Sequence, residues 1–122
     1  MDDLLQKAEE LGRLLVDQPR FKALMTARDA IRADAAARKA LADYQTHVDH
    51  LQQLQAARKP IEVADKRRLA ELETALSGNA KVMAMSKAQA DFSELMSRIN
   101  RAIYEKIAAE EATEEEAPPA KQ

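Results

Sequence analysis

The chain has 122 residues, of which 33% are charged and 3% aromatic, and it contains no cysteine. This length fits one domain, and the absence of cysteine excludes disulfides, zinc–thiolate and iron–sulfur sites and thiol nucleophiles. The net charge of −2 conceals an asymmetry, because residues 110–122 hold five of the 21 acidic residues and one of the 19 basic ones. The remainder of the chain is therefore weakly basic.

The sequence has no feature of secretion or membrane insertion. It begins with Met1-Asp2-Asp3, which is acidic and does not resemble the basic start of a signal peptide. No stretch approaches the ~18 consecutive apolar residues of a membrane span. We therefore expect a cytoplasmic protein that does not contact a membrane.

The first two helices are predicted from apolar spacing and a proline. Residues 3–16 place apolar side chains three and four positions apart, which gives a helix one apolar face. Pro19 then breaks this helix and suits the first position of a second one. The second helix continues the same spacing through Phe21, Leu24 and Ile31.

The third and fourth helices follow from caps and another proline. Asp34 is a natural N-cap, because its carboxylate accepts from free backbone N–H groups. The third helix should run to about Arg58 and stop before Pro60, whose ring disfavours helical geometry in the preceding residue. A fourth helix, with an apolar face around Leu72, should end at Gly78 in the left-handed conformation.

The last helix is predicted to be the longest. It starts after Asn79, a second natural cap, and an apolar stripe continues from Val82 to Ile107 in steps of three and four. About 30 helical residues span ~45 Å, far more than the ~14 Å radius of gyration of a compact domain of this length. We therefore expect a helical bundle with a long C-terminal helix that forms an antiparallel helical homodimer.

The C-terminus is predicted to differ from this domain. From Glu110 onward the chain is rich in Glu and contains Pro118-Pro119, a composition typical of disorder. We therefore divide the chain into a helical domain of residues 1–109 and a disordered acidic tail of residues 110–122.

One polar cluster is a candidate metal site. His47 and His50 lie three residues apart, near Asp43, and two histidines with a carboxylate can bind a metal ion. No further ligand is identifiable, so the favoured interpretation is a set of exposed polar residues beside an apolar stripe.

A second polar cluster is basic: Lys66, Arg67 and Arg68 are candidate phosphate contacts. Acidic residues interleave the basic ones and no aromatic platform accompanies them, which favours a solvated helix face.

The sequence offers nothing for catalysis. It lacks a Gly-rich phosphate loop, a GxSxG nucleophile elbow, a Cys/His pair and a clear metal site. We therefore expect a protein that is not an enzyme and has no cofactor, no metal and no small-molecule substrate.

The order of these helices resembles that of the YlbF/YmcA family of bacterial regulators, also called the YheA/YmcA-like group. The resemblance covers residues 3–108 and rests on three segments: FKALMTARDAIRADAAARKALADYQ, with Tyr44-Gln45 at an aromatic-Gln position; HVDHLQQLQAARKP; and LAELETALSGNAKVMAMSKAQADFSELMSRINRAIYEKI. Ala35 and Ala80 stand where the family often has proline. Iron–sulfur chemistry found in some members cannot apply here, because the chain has no cysteine.

The resemblance implies a helical fold that associates through its long helices. It also implies an accessory regulator that binds other family members and ribonuclease Y to direct RNA processing. We therefore expect a non-catalytic adapter. The alternatives are a small helical chaperone or assembly factor and a protein that binds nucleic acid directly. The apolar residues expected at a dimer or partner interface are Leu41, Tyr44, Val48, Leu51, Phe92, Met96, Ile99 and Ile103.

Overall fold

A computed structural model describes the backbone of residues 2–116 and the side chains of residues 2–113. These residues form five helices, so the prediction of an all-helical chain with a long last helix is confirmed. The helices are α1 (Asp2–Val16), α2 (Pro19–Arg32), α3 (Ala35–Ala56), α4 (Val63–Ser77) and α5 (Ala80–Glu116).

The core lies where α2 packs along the first half of α5. One buried cluster consists of Leu24, Ala27 and Ala88, with Phe92 packed against its side. Alanine at the contact allows two helix backbones to approach closely, which maximises dispersion contacts along the seam. The Arg20 guanidinium, which donates to the backbone carbonyl of Asp91 over 3.2 Å, further ties α2 to α5.

A second cluster joins the start of α3 to the same seam. It consists of Ile31, Ala37 and Val82, and Ala37 has no exposed surface. Two caps fix the helix starts around it. The Asp34 carboxylate accepts from the backbone N–H of Ala37 over 3.0 Å, and the Asn79 side chain accepts from that of Val82 over 3.1 Å. The two predicted caps are therefore present.

Asp34 also connects two helices. Its second carboxylate oxygen lies 2.9 Å from the Lys81 ammonium in the first turn of α5. The hydrogen bond from Lys81 is the main cause that holds the pKa of Asp34 below its ordinary value. The hydrogen bond from the Ala37 N–H and the charge of Lys81 lower this pKa further. One carboxylate thus caps α3 and anchors α5.

α3 and α4 form a hairpin. Leu72 is the buried residue of α4, and polar contacts align the helices near the loop that connects them. His47 Nε2 lies 2.8 Å from the backbone carbonyl of Asp65, and His50 Nε2 lies 3.4 Å from the Asp65 carboxylate. That carboxylate also accepts from the backbone N–H of Glu62, completing a capping box at the start of α4.

The left-handed residue expected at Gly78 occurs elsewhere. Gly78 has φ −84°, an ordinary helical value, because its N–H continues the helical bonding to the carbonyl of Thr74; the turn tightens one residue later, where the Asn79 N–H donates to the carbonyl of Leu76. Arg58 instead has φ 57° and follows the end of α3. The backbone N–H of Lys59 donates to the carbonyl of Leu54 over 2.8 Å, the pattern of a Schellman motif.

α1 and the C-terminal part of α5 lie outside the core. No residue of α1 is buried, and all described side chains from Arg101 to Thr113 are exposed. α5 continues through residues 110–116, which were expected to belong to a disordered tail; Ala and Glu are strong helix formers and extend the helix. Residues 117–122, the remainder of that predicted tail, lie outside the described residues.

The double role of Asp34 predicts acid sensitivity. Because its pKa is lowered in the folded chain, its contribution to stability is full above about pH 4, the region of the unfolded pKa, and is lost as the pH falls through the folded value. Asp34→Asn keeps a capping oxygen but removes the charge. We expect Asp34→Asn to melt below the wild type at pH 7 and the difference to shrink towards pH 2, measured by circular dichroism. A gap that stays constant would contradict this.

The backbone at Arg58 predicts a stabilising substitution. Glycine has no Cβ to oppose a positive φ, so Arg58→Gly should raise the free energy of unfolding by about 0.5–1 kcal/mol. Urea denaturation measures this change. Lys59→Gly, one position later and outside the left-handed region, serves as the matched control and should not stabilise the protein.

Candidate interaction surfaces

The first candidate surface is a groove between α3 and the first half of α5. It has a volume of about 640 Å³, and Leu76 of α4 also contributes to its lining. We call it the α3–α5 groove. Its lining residues are Leu41, Ala42, Tyr44, Gln45, Leu76, Val82, Met83, Met85, Ser86 and Gln89.

The α3–α5 groove is apolar and uncharged. Its lining includes no Asp, Glu, Lys or Arg among the described residues, although such residues make up a third of the chain. Its floor belongs to the core, since Val82 is buried and both Leu41 and Met85 pack against the buried cluster. Met83 is 48% exposed at its edge, and a flexible thioether adapts to varied partner shapes. A preformed apolar groove with a few amides is suited to binding an amphipathic helix.

The second candidate surface lies where α1 meets the part of α5 beyond the core. We call it the distal surface. At its closed end, a cleft of about 260 Å³ is lined by Leu11, Leu14, Leu15, Gln18, Leu95 and Ile99. Outside this cleft, Leu4 on α1 and both Ile103 and Ile107 on α5 are exposed. These three apolar side chains therefore have little cover from the described chain.

The eight residues predicted at an interface are distributed over different places. Phe92 packs in the chain's own core, its ring centroid 5.8 Å from that of Phe21. Leu41 and Tyr44 line the α3–α5 groove, whereas Ile99 and Ile103 belong to the distal surface. The remaining three, Val48, Leu51 and Met96, are half-buried. The structure thus divides the eight residues: two line the α3–α5 groove, two belong to the distal surface, and the other four belong to neither surface.

Several exposed apolar residues were not singled out from the sequence as interface residues. Leu14 is 62% exposed and Tyr104 67% exposed; both lie off the main stripes of their helices, so a three-and-four spacing rule passes over them. The apolar face of α1 can be predicted from the sequence, because Leu4, Leu11 and Leu15 follow that spacing rule. That pattern alone cannot distinguish a covered face from an uncovered one.

The basic residues of α4 do not form one patch. Lys66, Arg67 and Arg68 are consecutive, and successive helical residues point about 100° apart. Arg68 also lies 3.6 Å from the Glu71 carboxylate. A phosphate backbone would therefore meet these three side chains on different sides of the helix.

The histidine pair is engaged in structural contacts. Both rings contact Asp65, as described above, and their centroids lie 5.8 Å apart. Among the side chains described for residues 2–113, no three of His, Cys, Asp or Glu come together in a way that could hold a metal ion. The contacts assign the pair to alignment of the α3–α4 hairpin.

Comparison with known proteins identifies the family. The family model described as "Control of competence regulator ComK, YlbF/YmcA" matches residues 4–108. The chain belongs to the YlbF/YmcA family. The resemblance drawn from the sequence is thereby confirmed, and the family's members are regulators.

Relatives cover nearly the whole length of this YlbF/YmcA domain. A UPF0342 protein of Streptococcus sanguinis is 30% identical over 109 residues, and one of Streptococcus pneumoniae serotype 4 is 26% identical over 107 residues. Each alignment covers 88% of this chain and 96% of the relative. A solved structure of Bacillus subtilis RicA, determined in complex with RicF, matches with a TM-score of 0.76 at 14% identity, covering 88% of this chain and 96% of that one. It shows that the fold is shared.

The length and hydropathy of the helices show whether any of them could span a membrane. Among the described residues of this YlbF/YmcA protein, none of the helices has the length and apolar character needed to cross a bilayer.

The spread of the basic residues leads to a prediction about RNA. We expect simultaneous Lys66→Ala, Arg67→Ala and Arg68→Ala to leave the affinity for single-stranded RNA within about twofold of wild type, because no common phosphate-binding face is lost. Fluorescence anisotropy between 50 and 200 mM salt measures the affinity. A steep salt dependence that the triple variant abolishes would contradict the prediction and favour direct RNA binding.

Proposed function

We propose that this protein is a non-catalytic regulatory adapter that modulates RNA processing by binding other proteins. By family resemblance, its partners are other YlbF/YmcA proteins and ribonuclease Y. The observation that supports a binding role is the α3–α5 groove, a preformed apolar concavity on a rigid base.

The lining of the groove favours protein over nucleic acid as the partner. Backbone phosphates require cationic side chains, and the groove presents apolar atoms, amides and a hydroxyl instead. An amphipathic helix buries its apolar face in such a groove, while the amides of Gln45 and Gln89 satisfy polar atoms at its edge. The groove is therefore the proposed partner site, with Leu41 and Tyr44 as its contribution from α3.

We also propose that the adapter is a homodimer. Of the residues predicted at the interface, Ile99 and Ile103 lie on the distal surface. This surface is the one proposed to contact the second chain. Self-association and partner binding would then use opposite ends of α5. This separation lets one chain hold a partner while it stays dimeric.

The test of the adapter function is capture of partners from the native cell lysate. We expect the wild type to retain a ribonuclease or a second family member after ribonuclease treatment, identified by mass spectrometry. Met83→Glu places a charge at the edge of the groove and should reduce capture about tenfold or more, because an unpaired carboxylate is costly in an apolar contact. Ala70→Glu, at an exposed position of α4 that does not line the groove, is the matched control.

The same experiment separates the alternative functions. Recovery of many unfolded proteins, all lost in Met83→Glu, would favour a chaperone that holds client peptides in the groove. Recovery of RNA without a ribonuclease or family member would favour direct nucleic-acid binding. Equal capture by Met83→Glu and wild type would remove the groove from the mechanism.

A further inference from the structure

All charged residues of α5 between positions 83 and 98 lie on one stripe. Lys87, Asp91, Glu94 and Arg98 follow one another in steps of four, three and four, which places them along a single face of the helix. Neighbours on this stripe pair with each other. The Lys87 ammonium lies 2.9 Å from the Asp91 carboxylate, and the Arg98 guanidinium lies 3.2 Å from that of Glu94. The stripe is therefore a charged face whose opposite charges satisfy each other along the helix.

The face beside this stripe carries no charge. The residues that precede the four charged ones, at positions 86, 90, 93 and 97, are all uncharged and exposed, and successive helical residues point about 100° apart. Ser86 lines the α3–α5 groove. Ser93 and Ser97 continue the same face beyond the groove. The charges of this part of α5 are thus kept off the side that borders the groove.

α3 continues the other wall of the groove in the same way. Gln45 of the groove is followed at helical spacing by Val48 and Gln52, and none of the three is charged. α3 and α5 both start at the buried cluster of Ala37 and Val82 and lead away from it. The two uncharged rows therefore extend in the same direction, past the end of the groove. We call Val48, Gln52, Ser93 and Ser97 the uncharged extension of the groove.

The absence of charge distinguishes a face that a partner buries from a face that water covers. Charged side chains are stable on a solvated helix face, and they make up a third of this chain. An unpaired charge buried in a contact is costly, whereas a hydroxyl or an amide needs only its hydrogen bonds. The centres of protein interfaces are accordingly depleted in charged residues. Serine also lets a second helix approach closely, as Ala27 and Ala88 do in the core.

We propose that the segment bound by this protein is one helix of another protein, whose contact face carries apolar, hydroxyl and amide side chains and no charge. The helix lies in the α3–α5 groove and continues over the uncharged extension. From Val82 to Ser97 this site spans about 22 Å, or four helical turns. The site ends before Ile103, so the distal surface stays free. This inference rests on the proposed adapter function and deepens it by defining the length of the site and the chemistry of the partner.

Site-specific photo-crosslinking of the full chain in the native cell lysate tests the length of the site. The chain has no native cysteine, so Ser93→Cys carries a single benzophenone label on the uncharged extension. Met83→Cys carries the label at the groove, and Arg98→Cys, on the charged stripe, is the matched control. We expect Ser93→Cys and Met83→Cys to be joined to the same protein, and Arg98→Cys to give about fivefold less product, because its side chain points away from the bound helix.

Mass spectrometry of the cross-linked peptide tests the chemistry of the partner. The expected peptide belongs to another protein and has a face, read in steps of three and four over about four turns, without Asp, Glu, Lys or Arg. A charged contact face, or a peptide from a second copy of this chain, would overturn the proposal. A product from Met83→Cys without one from Ser93→Cys would overturn the extended site and leave the adapter function standing. No product from either would contradict both.

A charge placed on the uncharged extension gives an independent test. Isothermal titration calorimetry with the protein identified by cross-linking should show binding to Ser97→Glu weakened about tenfold or more, because the new carboxylate is buried without a partner. Ser97→Ala should bind like the wild type. Arg98→Glu, on the neighbouring face, should change the affinity less than about threefold. Both positions are exposed, so the variants should retain their helical circular dichroism. Equal affinities of Ser97→Glu and Arg98→Glu would overturn the proposal.

Discussion

The arrangement of this protein depends on the close packing of α2 against the first half of α5. Alanines at the seam, Ala27 and Ala88, bring the two backbones together, and Leu24 fills the space beside them. The remaining helices are placed relative to this pair: α3 through Ala37 and the Asp34 carboxylate, and α4 through its hairpin with α3. Because α2 has only 14 residues and α5 has 37, this packing leaves more than half of α5 without a neighbour along α2.

That difference in length explains why the candidate surfaces lie where they do. Along the first half of α5, the α3–α5 groove lies between α5 and α3. Along the second half, the core-facing stripe itself is open. The unequal helix lengths thus leave apolar surface exposed in the folded state, and exposed apolar patches are typical of binding sites.

The sequence predicts the helices well because their ends are encoded locally. Pro19, Asp34 and Asn79 act within one turn of their own positions, so their effect can be read without knowledge of the fold. Arg58 could not be predicted in the same way: its left-handed backbone results from how α3 turns into α4, and glycine at position 78 was the better local candidate. α5 continues to Glu116 because Ala and Glu are strong helix formers, whereas the predicted boundary at residue 110 rests on the acidity of that segment.

The sequence predicts the residues of the candidate surfaces only together with residues of the core, without separating the two groups. Phe92 and Ile103 belong to one stripe with one spacing, and nothing in that spacing shows that α2 covers the first and leaves the second exposed. Which part of a stripe is core depends on the length and position of another helix, which is a property of tertiary structure. Likewise, Met83 becomes notable only once α3 is seen to face it across the groove.

The small size of the core also determines how the protein responds to temperature. Among the described residues seven side chains are buried, and three of these are alanines. The heat-capacity change of unfolding is proportional mainly to the apolar area that becomes exposed, so it is small for this chain taken alone. A small heat-capacity change flattens the stability curve: folding free energy varies little between cold and warm conditions, and the thermal transition is broad.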